Sequence, residues 1–145
     1  MQLFYPVSLE EGIHILRVKL RLDKVLRRDH NKNLTCYTTR EAALRKALER
    51  RASGQSRQEL FYIVIDVTVP GIVADLKQER PVDRKPLATF KGESREAVLL
   101  SLVAQDMLSK EGEFSLKVLP GTEDLYAETY PLLAQGNRPA FGPWK

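Results

Sequence analysis

The segment Leu60-Phe-Tyr-Ile-Val-Ile-Asp-Val-Thr-Val69 constrains the fold more than any other part of the chain. β-Branched and aromatic residues fill it, which favours a strand. It is apolar on both faces at its start and alternates after Ile65, the pattern of a central strand covered on both sides. Pro70-Gly71 ends it. Such a strand needs partners and covering layers, and a chain of 145 residues and 16.5 kDa has room for one domain of that kind. We read residues 1–134 as a single α+β domain and residues 135–145 as an extended Gly/Pro-rich tail. With 43% hydrophobic and 29% charged residues, disorder and collagen-like repeats are excluded.

The other elements follow from caps and periodicity. Gln2–Tyr5 reads as a short strand ended by Pro6. Ser8-Leu-Glu-Glu11 is a capping box, and Leu9, Ile13, Leu16 and Leu20 recur at helical spacing, so a helix runs from about Leu9 to Lys19. Leu34–Thr38 is a strand, and Thr38-Thr-Arg-Glu41 opens a second helix that runs out in Ala-Ser-Gly-Gln-Ser. Residues 72–86, broken by Pro81 and Pro86, read as a connection with at most a brief strand, and Leu87–Lys91 as a strand. Ser94 is expected to cap a helix whose Ala97, Val98, Leu99, Leu102, Val103 and Met107 make a wide buried face. Phe114–Leu119 is a last alternating strand, and Thr122-Glu-Asp is placed to cap a final helix to about Leu133. The sum is a set of small mixed sheets with three to four helices.

Charge is polarised along the chain. Through Arg57 there are thirteen Lys/Arg against six Asp/Glu, or +7; from Gln58 onward ten stand against thirteen, or −3, giving the overall +4. A field of that kind attracts a nucleotide, an acidic protein partner or RNA. The longest apolar runs fall far short of the ~20 residues that span a bilayer, so no membrane partner is expected. The start of the chain lacks a basic region followed by an apolar one, and together with a single cysteine this points to the cytoplasm.

Candidate chemistry is sparse. His14 and His30 are too few for a His-based metal site, and a lone Cys36 excludes a multi-cysteine zinc site, so no metal is expected. Cys36 reads as a buried, inert thiol. Asp66, Glu93, Glu96, Glu113, Glu123 and Glu128 read one by one as surface or capping charges. No Gly-x-Gly-x-x-Gly, Walker or Gly-x-Ser-x-Gly motif is present.

Two segments nevertheless resemble the ADP-ribosyltransferase family. Leu3-Phe-Tyr-Pro-Val-Ser-Leu-Glu-Glu-Gly-Ile-His-Ile-Leu-Arg-Val-Lys-Leu is similar to the family's opening strand and capped helix, and Cys36-Tyr-Thr-Thr-Arg-Glu-Ala-Ala-Leu to its Tyr-x-Thr and Ala-rich helix. The resemblance covers roughly the first half of the chain. It implies a split sheet with NAD or a related nucleotide in the cleft. Tyr5, Ser8, Tyr37 and Thr38 would surround the cofactor, and Glu113 or Glu128 would be the late catalytic glutamate; from the clustered basic charge, Arg17, Arg21, Arg27 and Arg28 are expected to meet its pyrophosphate by bidentate hydrogen bonds. Tyr5, Pro6 and Val7 depart from the family's His/Arg-Gly-Thr, so the implied activity is nucleotide binding with altered or lost transfer. The other function class that fits these residues is a non-enzymatic adaptor or inhibitor, contacting protein or RNA through the basic N-terminal half.

Overall fold

The structure, a computed structural model, describes residues 1–21, 26–55, 58–79 and 85–122. In chain order its elements are β1 (Gln2–Val7), α1 (Leu9–Val18), β2 (Leu34–Tyr37), α2 (Arg40–Ala52), β3 (Phe61–Asp66), α3 (Pro70–Leu76), β4 (Ala88–Lys91), β5 (Ala97–Leu100), α4 (Leu102–Glu111) and β6 (Glu113–Val118). The class is α+β. The six strands form one sheet in the order β4-β5-β2-β1-β3-β6, with antiparallel pairing throughout, in place of the small mixed sheets expected from the sequence.

Strand alternation distributes the core between two faces. Leu3, Tyr5 and Val7 of β1, Phe61, Ile63 and Ile65 of β3, Leu34 and Cys36 of β2, and Val98 and Leu100 of β5 share one buried cluster. Ile15 of α1, Ile72 of α3, and Ala104 and Leu108 of α4 join them, so three helices cover that face. Phe4, Tyr37, Tyr62 and Val64 point the other way and pack on Ala42, Ala43 and Ala47 of α2. Small alanines let this helix sit close over β1 and β2. Beside it, Thr89 and Lys91 of β4 are exposed. Among the described residues, three helices cover one face of the sheet and α2 covers part of the other.

Caps set most of the helix boundaries. Ser8 and Glu11 form the expected capping box, with both reciprocal bonds at 3.2 Å. The second helix is capped by Thr39, not Thr38: Ala42 N–H donates to Thr39 Oγ1 at 3.1 Å. Pro6 does not end the first strand, which continues to Val7. Pro6 has no N–H to give, and β1 meets β2 only at Phe4 and Tyr37. The long apolar segment narrows to Phe61–Asp66, and Pro70 opens α3 where a connection was expected, since a proline at the first helical position loses no bond. The helix expected from Ser94 divides into β5 and α4, the latter capped by Ser101 (Ala104 N–H to Ser101 Oγ, 3.1 Å). Leu102 and Val103 are exposed, so the expected buried face is in fact the apolar run of a strand followed by the open first turn of a helix. Thr122 is buried and its hydroxyl donates to Leu119 O at 2.6 Å; the final helix and the tail lie outside the described residues.

Asp75 ties the sheet's outer edge to α3. It is 5% exposed, and its Oδ2 accepts from Leu87 N–H at 2.6 Å and Ala88 N–H at 3.1 Å. Each buried N–H left unsatisfied costs about 1–3 kcal/mol. Asp75→Ala is therefore expected to destabilise the protein by about 2–4 kcal/mol in urea titration, against a much smaller loss for Asp75→Asn, whose amide oxygen still accepts.

Candidate functional site

The partly roofed face carries the site. In the sheet's register, Tyr37 of β2 stands opposite Ala97 of β5, and Ala97 opposite Lys91 of β4. These residues, with Thr35, form the floor of a cleft of about 720 Å³. Lys46 and Arg50, one turn apart on α2, form a wall with Gln55 just beyond the helix. Arg27 closes the end. Four cationic side chains, a hydroxyl, a phenol and an amide therefore converge on one cavity, whose volume lies in the range of small-molecule sites.

A buried carboxylate organises the cations. Glu59, just before β3, is 1% exposed, and its two oxygens accept from Arg27 Nη1 at 2.9 Å and Arg50 Nη1 at 2.5 Å. Burial works against the charge of Arg27, but the facing Glu59 outweighs it and raises that guanidinium above its ordinary value. Arg27 keeps 42% of its side chain exposed while Arg50 keeps 12%, so the pair presents one open fork and one sunken fork. Lys46 lies 3.7 Å from the exposed Glu49 carboxylate, a pairing too wet to hold it away from a ligand. At the rim, Arg45 Nη1 bonds Glu96 Oε2 at 2.6 Å and ties α2 to the loop before β5.

The strand address of Arg27 explains its position. Arg28 pairs with Leu34 in an isolated antiparallel bridge, beyond the single β1–β2 pair. Alternation then sends Leu26 and Arg28 to the three-helix face and Arg27 to the α2 face. Arg27 N–H donates to the Tyr5 phenol oxygen at 3.4 Å.

Of the residues singled out in the sequence, Arg27 and Tyr37 line the cleft. Tyr5 is 3% exposed in the three-helix core and reaches the site only through the backbone of Arg27. The Ser8 hydroxyl is engaged as the cap of α1. Arg17 is exposed in the last turn of α1, and Arg28 bonds Gln105 of α4, so both lie on the opposite side of the sheet from the cleft. Thr38 donates to Arg95 O and Glu96 O at 3.2 and 3.3 Å and so pins the β5 entry. Glu113 is exposed on the edge strand β6, three strand spacings (roughly 14 Å) from β2. Glu128 lies outside the described residues. Thr35, Lys46, Arg50, Gln55, Glu59, Lys91 and Ala97 were missed. The available signal was the spacing of Lys46 and Arg50 on one helix face.

No family model matches the chain, and no curated protein or solved structure matches it.

Two buried groups below the cleft are held neutral. Desolvation raises Tyr5 to about 12, against a smaller lowering by the Arg27 backbone bond, and raises Cys36 to about 12. Burial also raises Tyr37, opposed by Arg50. Each neutral form is favoured by folding. The stabilisation from Cys36 and Tyr5 is thus fully present below their unfolded values of 9.0 and 10.0, and is lost as pH rises from there to about 12. Urea midpoints are expected to stay level through neutral pH and fall above about pH 9, and Cys36 to resist thiol reagents until the protein unfolds. Stoichiometric labelling of the native protein at pH 8 would contradict this.

Proposed function

We propose that the chain is a nucleotide-binding module whose cleft between α2 and the β4-β5-β2 edge holds the phosphates of its ligand. The observation that carries this reading is the convergence of Arg27, Lys46, Arg50 and Lys91 on one cavity, two of them oriented by a buried carboxylate. Guanidinium forks suit bidentate bonds to phosphate oxygens, and lysines add mobile point charges. Thr35 and Gln55 add neutral hydrogen-bonding groups for a sugar or base. NAD or ADP-ribose is the ligand class favoured by the sequence resemblance. The lining side chains supply positive charge and hydrogen bonds, the equipment for holding an anion, and the reading is of binding without glycosyl transfer.

A thermal-shift and calorimetric series with NAD, ADP-ribose, ADP and a short single-stranded RNA tests it. A ligand at 100 times its Kd stabilises by about 2.7 kcal/mol, and such a shift is expected with NAD or ADP-ribose. The double variant Lys46→Glu/Lys91→Glu should abolish the shift while leaving the circular dichroism unchanged. No shift with any nucleotide, or one indifferent to the double variant, contradicts the reading. A response to RNA alone, weakening steeply with salt, would reassign the cleft to a nucleic-acid backbone.

A further inference from the structure

On the far side of the sheet from the cleft lies a polar network. Gln105 of α4 is fully buried, and both ends of its amide are engaged. Its Oε1 accepts from Arg28 Nε at 2.6 Å, while its Nε2 donates to Lys32 O at 2.9 Å and Leu100 O at 3.0 Å. Arg28 Nη2 donates in turn to Leu20 O at 2.8 Å and Arg21 O at 3.1 Å. Ser109, one turn further along α4, accepts from Leu20 N–H at 3.0 Å and donates to Gln105 O at 2.9 Å.

The segment held by this network is compact in itself. Asp29 Oδ1 accepts from the Asn31 and Asn33 N–H groups at 2.9 Å each, and Asp29 N–H donates to Asn33 O at 3.0 Å. Gln105 therefore grips a closed turn at two points, Arg28 before it and Lys32 within it. Arg27 is covalently next to Arg28 and points through to the opposite face. Arg27 and Arg28 share one stretch of backbone and alternate across it, so fixing Arg28 and the turn after it restrains the backbone that carries Arg27.

We infer that Gln105 is a positioning residue for the cleft: by clamping Arg28 and the 29–33 turn on one face, it fixes the Arg27 guanidinium against Glu59 on the other. The inference rests on the anion-site reading for its binding arm only. It also gives α4 a function beyond covering the sheet, since a change at this helix is felt in the cleft without touching it. Buried polar networks whose members are all satisfied are well suited to fixing a single arrangement.

The test combines two readouts on the full-length chain, both in variants shown to be folded by circular dichroism at the assay temperature. The first is the Arg27 side-chain Nε–Hε resonance in an NMR spectrum assigned with the Arg27→Ala variant. Gln105→Leu should move it towards the position and solvent exchange of an unrestrained arginine. Gln105→Glu keeps an acceptor for Arg28 but turns the donor that bonds Lys32 O and Leu100 O into a second acceptor, so it retains one of the two grips and should move the signal only part of the way. The second is calorimetric affinity for inorganic diphosphate. Gln105→Leu should weaken it two- to thirtyfold, the range typical of coupling through a packed network. In the Arg27→Ala background the same substitution should have no further effect. An unmoved Arg27 resonance overturns the inference, and so does a loss of affinity that is equal with and without Arg27. If wild-type protein fails to bind diphosphate while the resonance moves as expected, the anion-site reading falls and the positioning role of Gln105 stands.

Discussion

A single buried carboxylate holds the cleft face together. Glu59 lies just before β3, Arg50 in the last turn of α2, and Arg27 beside Arg28, which bridges to Leu34 at the start of β2. Three segments of the chain are thus joined at one residue that is 1% exposed. A buried ion pair adds little compared with an apolar replacement of both partners, yet removing one partner typically costs about 3–5 kcal/mol because the other charge is stranded. The triad is better understood as a device for orientation than as a source of stability. It holds two guanidiniums of like charge side by side, an arrangement that repulsion would otherwise oppose.

The rest of the fold provides the setting. Stability comes from the three-helix face, where fully buried Phe61, Leu3, Ile63, Ile65, Leu100, Leu108 and Leu116 are each worth about 1.5–3 kcal/mol relative to exposure. Gly12 of α1 belongs to that packing: a Cβ there would come within 2.5 Å of Leu116 Cδ1, so the helix lies directly on the sheet. The α2 face is free of that burden. Its alanines keep the helix low over β1 and β2, and the register carries Tyr37, Ala97 and Lys91 outward in one line beside it. The sheet thereby separates the side that carries most of the core from the side that carries the cleft, and residues 26–28 contribute side chains to both.

The sequence made the fold class and most elements legible, for local reasons. The Ser8–Glu11 box, the β-branched run around Ile63 and the alternation from Phe114 each state their structure within a few residues. The Ala97–Leu100 run did not, because four consecutive apolar residues suit a strand or a helix equally, and the exposed Leu102 and Val103 extended the apparent helical face. Pairing with Leu34–Tyr37 on one side and Ala88–Lys91 on the other decides for the strand. The site was legible at Arg27 and Tyr37 and hidden at Glu59, which looks like an ordinary charge in a loop until Arg27 and Arg50 are brought to it from 32 and 9 residues away. Ser8 and Thr38 mark the converse limit: hydroxyls that suit a ligand pocket in sequence are used by the backbone in the fold.

The proposed anion site lies between α2 and the β4-β5-β2 edge. Crystals grown with tungstate, a tetrahedral dianion with a strong anomalous signal, test it directly. The expected result is an anomalous peak within hydrogen-bonding reach of Arg50 together with Lys46 or Lys91, while Glu59 still bridges Arg27 and Arg50. Tungstate bound only elsewhere on the basic surface, with the cleft empty at saturating concentration, would contradict it.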